Sequence, residues 1–543
     1  MPSKMSAALP PGRPSVRRAY EAWAASHTAV DGVAPSPENA PDPAGLSVGI
    51  VGGGMAGLYA ALLLQLRGVD VHVYEANPTR LGGRVYTHRF NEEPNQYFEA
   101  GAMRLPEIPE QQPVFDLIGY LNTKVPTEEQ IELIPYILYD DSGNLCYVNG
   151  ELGPDGQPMS VAYAGEHPEA LGFSAAATGG LTAQALLDSA IKPFLDLLED
   201  DFEKGFTELV KYDDLSFRAY LAMVLGWTEE RINYVEVMTS QTNQFQSSFT
   251  ELVIESMDFS QAHWKSIKNG MDRLPNALAS VVGSENISMG ARVVSIDGTQ
   301  SGGSTISFAD GRSVEHDRVI MALPPAALRM IETPQWTPSK NHAIRALHFE
   351  PLYKIGMRFT SRFWERVGAP SNGGQSITDL PSRWFVYPSY GIGDEGEGVL
   401  LLYSWMTDAV AWLPQPMDQR IDFALRDLQT VYEGQVDVRE EFIEAFTVNW
   451  TVEESTGDAM FFPGQFKNLF NIARVPEGNV YFAGEHLSVH HTWIVGALDS
   501  ALLAVQQLLG APDVEPVGHS GGDHEYDYTD VVAAARAARH GEA

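Results

Sequence analysis

A glycine-rich turn between two strands is the feature that most constrains how this chain can fold. It lies in SVGIVGGGMAGLYAALLLQLRGVDVHVYEA, residues 47–76. A β-branched strand runs into Gly52, Gly54 and Gly57, in the spacing G-x-G-x-x-G, and a helix is predicted to follow. Glu75 closes the next strand, where a carboxylate can accept a ribose hydroxyl. The pattern predicts a Rossmann-like dinucleotide site with the pyrophosphate at the helix N-terminus, and it leaves NAD and FAD both open.

The composition limits the classes of protein to which the chain can belong. A chain of 543 residues that is 44% hydrophobic is long enough for more than one domain. Its 36 basic and 71 acidic residues give a formal net charge of −35, which argues against nucleic acid and anionic membrane as partners. Cys146 is the single cysteine, which excludes disulfides within the chain and thiolate metal clusters, and no H-E-x-x-H motif occurs. We therefore expect no bound metal.

The pattern of apolar and polar residues changes several times along the chain. Apolar side chains at three- and four-residue spacing predict helices over 181–262, whereas 291–322 and 349–406 are rich in strand-forming residues. Because a strand, turn and helix of the nucleotide-binding kind occur at the start of the chain and again near its end, we expect interleaved domains. The predicted divisions are a mobile N-terminal arm over 1–45, a discontinuous nucleotide-binding domain over 46–84, 265–345 and 470–510, a substrate-binding domain over 85–150 and 349–465, a helical domain over 155–262, and a C-terminal tail over 511–543 with a short helix at about 531–539.

Several further motifs resemble those of one enzyme family. EANPTRLGGRVYT (75–87) and VYFAGEH (480–486) resemble segments of the flavin monoamine oxidases, and GAMRLP (101–106) is similar to the segment that distinguishes the L-amino acid oxidase branch. NGMDRLP, YKIGMRFTSRFWE, GGQSITDLPSRWFVYPS and HTWIVGALDSAL add matches in the same order, so that the resemblance spans roughly 47–510. It implies a mixed α/β fold: a Rossmann-like FAD-binding domain of the glutathione-reductase type, an interleaved substrate-binding domain with a mixed sheet, and a helical insert.

The resemblance also implies how FAD is held. Arg84 is expected beside the phosphates, Val293 gives backbone contacts to adenine, and Glu485 meets the ribityl or pyrophosphate part. A helix that opens near Trp493 points its positive end at the flavin N1 and C2 carbonyl, where negative charge develops. The full set of expected cofactor contacts is Gly52, Gly54, Met55, Ala56, Gly57, Glu75, Ala76, Gly83, Arg84, Gly101, Ala102, Met103, Arg104, Val293, Gly484, Glu485, Trp493 and Ile494.

We expect the FAD to be noncovalent. Related monoamine oxidases often tether flavin through a cysteine just before the last helix, and the corresponding stretch here is HLSVHHTWIVGA. Cys146 lies far from it in sequence.

The catalytic residues are also assigned by resemblance. Arg104, in GAMRLP, corresponds to the arginine that binds the substrate carboxylate, and its planar guanidinium suits that bidentate contact. Tyr403 matches the tyrosine whose hydroxyl donates to the same carboxylate, and Lys354 matches the lysine that holds a water near flavin N5 and assists dioxygen. Trp493 would wall the substrate side. No general base is evident.

The implied reaction is that of an L-amino acid oxidase: hydride transfer from Cα to flavin N5, giving a 2-oxo acid, ammonia and hydrogen peroxide. YSWMTDAVAWLPQP also resembles bacterial oxidase/monooxygenase sequences, which keeps an L-amino acid 2-monooxygenase open. An amine or polyamine oxidase is disfavoured because its substrate has no carboxylate for Arg104. A non-catalytic escort similar to the Rab dissociation inhibitors is disfavoured by the flavin contacts and Lys354. Trp493 and the aromatic residues near 384–405 favour a large hydrophobic or aromatic substrate side chain.

The remaining expectations concern partners and location. We expect an L-amino acid and dioxygen as small-molecule partners, with neither nucleic acid nor membrane. No signal peptide or apolar spanning segment is evident, which predicts a soluble, cytoplasmic protein. We also expect a homo-oligomer, a dimer or larger.

Overall fold

The computed structural model describes residues 41–140, 143–241, 243–259, 263–299, 302–368, 370–452, 456–511 and 514–518. Most of the predicted N-terminal arm and the predicted helix at 531–539 lie outside these residues. The strands are β1 (Ser47–Val51), β2 (Asp70–Tyr74), β3 (Thr87–Arg89), β4 (Tyr97–Glu99), β5 (Leu105–Pro106), β6 (Leu133–Pro135), β7 (Leu145–Tyr147), β8 (Met159–Ser160), β9 (Trp264–Ile267), β10 (Ile287–Ser288), β11 (Val293–Thr299), β12 (Gly303–Phe308), β13 (Ser313–His316), β14 (Arg318–Met321), β15 (Leu352–Phe359), β16 (Ile377–Thr378), β17 (Trp384–Val386), β18 (Gly398–Trp405), β19 (Phe442–Asn449) and β20 (Val480–Phe482).

The α-helices are numbered in chain order in the same way. They are α1 (Met55–Gln65), α2 (Gln112–Asn122), α3 (Val161–Glu166), α4 (Ala175–Thr178), α5 (Ala183–Asp200), α6 (Phe202–Leu209), α7 (Phe217–Met223), α8 (Glu229–Met238), α9 (Phe249–Asp258), α10 (Arg273–Val282), α11 (Pro325–Leu328), α12 (Pro338–Ala346), α13 (Met406–Ala411), α14 (Met417–Val431), α15 (Val438–Glu441), α16 (Asn471–Arg474) and α17 (Ile494–Leu509).

A parallel five-stranded sheet forms the nucleotide-binding part of the fold. Its order is β10-β2-β1-β14-β20, and every neighbouring pair is parallel. Val51 lies opposite Tyr74 on one side and Met321 on the other, so the carboxyl ends of the three central strands meet at one edge. Open parallel sheets bind ligands at that edge. The Rossmann-like sheet predicted from the glycine turn is therefore confirmed.

Strands β11, β12 and β13 lie between β10 and β14 in the sequence and form a separate antiparallel sheet. Within 291–322 the alternation of apolar and polar residues predicts three strands, ARVVSID, STISFAD and DRVIMAL, and these correspond to β11, β12 and β14. The four-residue strand β13 was missed because it follows a tight turn and is too short for alternation to be recognised.

The second large sheet is antiparallel, in the order β17-β18-β15-β19. The sequence predicted a mixed sheet for this part of the chain. A small neighbouring sheet is the mixed one: β16 pairs in parallel with β7, and β7 pairs antiparallel with β8. A third small sheet, β5-β9-β6, links the GAMRLP segment to residues that follow α9.

Helices α5 to α9 lie in the region where the apolar spacing over 181–262 predicted helices, and the short helices α3 and α4 precede it. Several begin with a serine, threonine or aspartate whose side chain accepts a backbone N–H of the first turn, as Thr182, Ser216 and Thr228 do. Ser248 begins α9 and accepts from Glu251 N at 3.0 Å. These local signals explain why the helices begin where they do.

The segment assigned to the C-terminal tail is packed at its start. Val514 and Val517 are buried in the same hydrophobic cluster as α1 and α17, and the N–H of Val517 donates to the Tyr59 hydroxyl at 3.0 Å. A tail that begins at 511 is therefore wrong for residues 514–518. Within the described residues, no helix combines the length and apolarity needed to cross a membrane.

Glycine is required where α1 meets the turn after β1. A Cβ on Gly57 would lie 1.9 Å from the carbonyl oxygen of Gly52 and 3.3 Å from the Cβ of Ala322. Gly52 itself has φ +106°. Helix and strand therefore approach through backbone atoms, as the fingerprint requires.

We expect Gly57→Ala to lower the melting temperature, because the new methyl group meets a backbone oxygen that cannot move aside; overpacking of this kind costs about 1–3 kcal/mol. Gly119→Ala is the matched control: Gly119 also lies inside a helix, but a Cβ at this position would have no atom within 4 Å. That change should stabilise by about 0.5–1 kcal/mol. Thermal unfolding followed by circular dichroism compares the two. A Gly57→Ala protein as stable as the wild type would contradict this account of the turn.

Candidate active site

One long cavity joins the edge of the parallel sheet to the antiparallel sheet. Its volume is about 2400 Å³, whereas sites for a single small molecule usually have about 300–1,000 Å³. The sequence-predicted residues that line it are Gly52, Gly54, Met55, Ala56, Glu75, Ala76, Gly83, Arg84, Gly101, Ala102, Met103, Arg104, Val293, Lys354, Tyr403, Gly484, Glu485, Trp493 and Ile494. Gly57 is the exception; it packs against Gly52 instead.

The end of β2 presents a carboxylate to the cavity. Glu75 Oε2 accepts the N–H of Gly53 at 2.7 Å, and Oε1 accepts the N–H of Asn77 at 2.7 Å. These bonds fix the carboxylate at the sheet edge, beside the N-terminus of α1. Val293, at the start of β11, lines the same end of the cavity. This end has the geometry expected for the adenosine half of a dinucleotide.

Two glycine turns face each other across the next part of the cavity. A Cβ on Gly83 would lie 3.4 Å from the Cα of Gly54. Gly54 is the N-cap of α1 and makes no side-chain capping bond. The uncapped N–H groups and the missing side chains leave space and positive charge for a phosphate.

Arg84 and Glu485 contact each other. Arg84 Nη1 lies 2.7 Å from Glu485 Oε1 and also donates to the carbonyl of Gly457 at 3.0 Å. Burial, the largest effect, raises the pKa of Glu485, but the positive charge of Arg84, the charges of His491 and His486 and the hydrogen bond from the N–H of Thr492 together outweigh it, so the pKa is below its usual value. Glu485 also accepts from the N–H of Ala459 at 3.2 Å and of Thr492 at 3.0 Å. Arg84 and Glu485, each of which was expected to contact FAD separately, thus form an ion pair with each other.

Helix α17 opens directly onto the cavity. Trp493 is its N-cap and makes no side-chain capping bond, and Ile494 and Ala497 also line the cavity. The indole of Trp493 is 8% exposed, and its Nε1 is buried without a hydrogen-bond partner among the described residues. The helix thus aims free N–H groups and its positive end into the space where the flavin ring is expected.

Arg104 lies in an aromatic cage. Its guanidinium carbon is 5.4 Å from the ring centroid of Phe259, 5.6 Å from that of Trp264 and 5.7 Å from that of Trp384. Strand β5 begins at the next residue and pairs with β9, which carries Trp264. Arg104 Nη1 is buried and has no hydrogen-bond partner among the described residues. Tyr136 interacts with the Arg104 side chain, but the unpartnered Nη1 is a buried cationic donor, which is costly and would be satisfied by an anion in the cavity.

The register of the antiparallel sheet places Lys354, Tyr403 and Trp384 side by side on three neighbouring strands. Lys354 on β15 and Trp384 on β17 both lie opposite Tyr403 on β18. Lys354 Nζ is 4.5 Å from the centroid of the Tyr403 ring, and the Trp384 and Tyr403 rings are 5.8 Å apart. Trp384 also borders Arg104, so the antiparallel sheet brings Arg104, Lys354 and Tyr403 to one end of the cavity.

Lys354 is held by backbone carbonyls. Its Nζ donates to the carbonyl of Gly101 at 2.6 Å and to that of Glu99 at 3.3 Å. Burial lowers the pKa of Lys354 to about 7, although the negative charge of Asp458 opposes the shift. Its ammonium group is therefore charged below about pH 7 and becomes neutral above it.

Three carboxylic acids that the sequence analysis did not identify line the same cavity: Glu255, Glu350 and Asp458. Burial, followed by the charges of Glu251 and Asp258, raises the pKa of Glu255 to about 8. Burial and Asp458 raise the pKa of Glu350 well above its usual range, and burial and Glu485 raise that of Asp458 to about 7.

One sequence signal could have found Glu255. In FTELVIESMD, two acids four residues apart share a helix face with apolar residues, and the first of them, Glu251, is 2% exposed. Glu251 is satisfied by His491, whose Nδ1 lies 2.9 Å away, and by the N–H of Phe461 at 2.7 Å. No comparable signal marks Glu350 and Asp458, which are adjacent through a backbone bond, Glu350 N to Asp458 O, at 2.8 Å.

Comparison with known proteins identifies the family. The family model of the flavin containing amine oxidoreductases matches residues 55–509, so the chain belongs to that family. It is 36% identical over 513 residues to a Dictyostelium discoideum protein described as a bifunctional amine oxidase, covering 86% of this chain but only 46% of that protein. It is 30% identical to L-amino-acid oxidase 4 of Hebeloma cylindrosporum, covering 87% of this chain and 83% of that protein.

The fold also matches a solved structure. Putrescine oxidase bound to putrescine superposes with a TM-score of 0.64 at 19% identity, covering 86% of this chain and 98% of that one. Family and fold together confirm the predicted flavoprotein and its cofactor, FAD.

The residues present fit FAD. The paired glycine turns, the two uncapped helix N-termini and the orphaned Trp493 Nε1 lie along one cavity that is large enough for an extended dinucleotide. Cys146 is fully buried in β7 and does not line the cavity; burial raises the pKa of its thiol to about 12. Among the described residues, no cluster of histidine, cysteine and acidic side chains could hold a metal ion.

We expect acid precipitation of the purified protein to release its flavin into the supernatant, because the single cysteine is buried away from the cavity. Absorbance near the flavin maxima, measured in the supernatant and in the washed pellet, gives the partition. Flavin that stays with the pellet would show a covalent link.

Proposed function

We propose that the protein is an FAD-dependent L-amino acid oxidase that releases a 2-oxo acid, ammonia and hydrogen peroxide. The observation that carries the proposal is Arg104: a caged guanidinium with a buried, unpartnered Nη1, at the same end of the cavity as Tyr403 and Lys354. The L-amino acid oxidases among the relatives support it. A homo-oligomeric state and a cytoplasmic location stay predictions from the sequence.

In the proposed reaction, Arg104 binds the substrate carboxylate in a bidentate contact, with Tyr403 as a second donor. Burial raises the pKa of Tyr403 well above its usual value, and Asp458 adds to the shift, so the hydroxyl keeps its proton and can donate it in a hydrogen bond. The clamp and the aromatic walls fix Cα in one orientation and exclude water, which is the main contribution that the protein makes. FAD, when bound, would supply the acceptor for the hydride that leaves Cα.

The α-amino group has to be neutral to react. Lys354 has neutral and charged forms near pH 7, and backbone carbonyls hold it in place. We propose that it orients a water molecule and, in its charged form, stabilises negative charge on dioxygen. A 2-monooxygenase would use the same clamp, and the mass of the product, amide or 2-oxo acid, separates the two reactions.

We expect Arg104→Lys and Arg104→Ala to lower kcat/KM for an L-amino acid. Removing one partner of a buried charge pair costs about 2–5 kcal/mol, or about 30-fold to several thousandfold. Lysine keeps the charge but loses the fork, so it tests geometry, whereas alanine tests both. A peroxide-coupled assay gives the rates.

The control substrate is the decarboxylated amine of the same amino acid. The loss should be much smaller for this amine, because the wild-type protein gains nothing from the clamp. Equal losses for both substrates would mean that Arg104 supports the fold or the cofactor, and the proposed substrate class would fail.

We expect Lys354→Met to leave the anaerobic half-reaction largely intact and to slow reoxidation by dioxygen, since a charged group near the developing negative charge is lost. In the wild type, reoxidation should also slow as the pH rises through about 7, because Lys354 then loses its proton. The variant should lack this dependence. Stopped-flow spectroscopy measures the two halves separately, and an unchanged oxidative rate would identify Lys354 as a bystander.

A further inference from the structure

Glu255, Glu350 and Asp458, defined here as the acidic cluster, have no role in the proposed reaction. All three line the cavity that also contains Arg104 and Tyr403. Three carboxylic acids buried in one cavity lose hydration and oppose each other's ionisation, and their pKa values are raised accordingly. The positive charges of Arg84, Lys354 and Arg104 act on Asp458 and Glu255 but leave those pKa values raised, so a further cation that enters the cavity would favour the ionised acids.

Their existing partners are too few. Glu350 accepts from Gln244 Nε2 at 3.2 Å, which satisfies part of its carboxylate. Oε2 of Glu255 is buried and has no hydrogen-bond partner among the described residues. In the same cavity, Trp405 is only 3% exposed, and its Nε1 also lacks a partner within the described part of the chain. These unpartnered polar atoms point to a ligand that enters this end of the cavity.

Charged groups of both signs act on Tyr403. Its pKa is raised by burial and then by the negative charges of Asp458 and Glu350, while the positive charge of Arg104 lowers it. Arg104 and the acidic cluster thus both lie within electrostatic range of one side chain. A substrate clamped by Arg104 through its carboxylate would extend its other end among acids. Three tryptophans, Trp384, Trp405 and Trp450, line the same cavity as the cluster.

We infer that the preferred substrates are L-amino acids with a cationic side chain of the length of lysine or arginine, and that the acidic cluster binds that cation. The inference rests on the proposed function, because it uses Arg104 as the carboxylate clamp. Carboxylates pair with the ammonium or guanidinium group, and the indole faces can add cation–π contacts. The α-ammonium is not the intended partner, since a carboxylate that holds its proton in place would oppose oxidation.

A basic side chain differs from the side chain that the aromatic residues predicted. Those residues favoured a large hydrophobic group. The aliphatic stem of lysine or arginine can pack along the same aromatic walls while its charged head reaches the cluster. Both observations are therefore compatible with a long basic side chain.

The first experiment compares three substrates of the holoenzyme: L-lysine, L-norleucine and cadaverine. L-norleucine has the four-carbon side chain without the terminal ammonium, and cadaverine lacks the carboxylate of L-lysine. We expect kcat/KM for L-lysine to exceed that for L-norleucine by about 30-fold or more, the scale of a buried charge pair. Cadaverine should be much poorer than L-lysine.

Two outcomes distinguish a failure of the inference from a failure of the proposed function. If L-norleucine equals L-lysine while cadaverine is poor, the inference is overturned and the proposed function survives. If cadaverine equals L-lysine, the carboxylate has no importance and the proposed function itself fails.

The second experiment uses Glu255→Gln and Glu350→Gln, which keep the shape and remove the charge. The ratio of kcat/KM for L-lysine to that for L-norleucine should fall by about 30-fold or more in Glu255→Gln. Asp188→Asn is the matched control: Asp188 lines the same cavity on α5 and accepts from Gln184 at 2.8 Å, so the ratio should stay at the wild-type value. Bound flavin absorbance and melting temperature check that each variant is folded.

Competitive binding provides a readout other than turnover. In the wild type, 6-aminohexanoate should inhibit oxidation of L-lysine more strongly than hexanoate, because it carries both charges, and Glu255→Gln should abolish the advantage. An unchanged ratio in both glutamine variants would overturn the inference. An equal loss for L-lysine and L-norleucine would also overturn it, because it would show that the acids act on the α-amino group.

Discussion

The ion pair between Arg84 and Glu485 joins segments that are 401 residues apart in the chain. Glu485 also accepts backbone N–H groups of Ala459 and Thr492, and Arg84 donates to the carbonyl of Gly457. One largely buried pair therefore connects the glycine turn after β2, the loop after β19 and the approach to α17. All three segments line the cavity, and removing Arg84 would leave the buried charge of Glu485 uncompensated.

The reactive end of the cavity depends on a second kind of constraint, the register of an antiparallel sheet. Lys354 and Trp384 flank Tyr403 because β15 and β17 pair with β18 on opposite sides. A slip of one residue on any of these strands would turn its side chain to the other face. The opposite face carries Tyr353 and Ile355, which are packed in a hydrophobic cluster, so burial of that cluster fixes the register.

Much of the nucleotide-binding part was predictable from sequence because its signals are local. The turn, the helix start and Glu75 lie within one stretch, and each has its own mechanical reason. The contact between Arg84 and Glu485 was not predictable, since each residue fits a phosphate-binding role when its segment is considered alone. Glu350 and Asp458 meet only through tertiary structure, because Glu350 precedes β15 and Asp458 follows β19. No spacing along the chain encodes such a meeting.

The short segment after α17 links the end of the described chain to the first helix. Val517 donates its N–H to Tyr59, which lies on α1, and a Cβ on Gly518 would lie 2.6 Å from the carbonyl oxygen of Asp116 on α2. Residues 514–518 are thus anchored to the helix whose first residues line the cofactor cavity. In practical terms, a fused protein or a purification tag belongs after residue 518, where it leaves this anchor intact, and a shortened chain that ends at 510 would lose a structural support of the cofactor site.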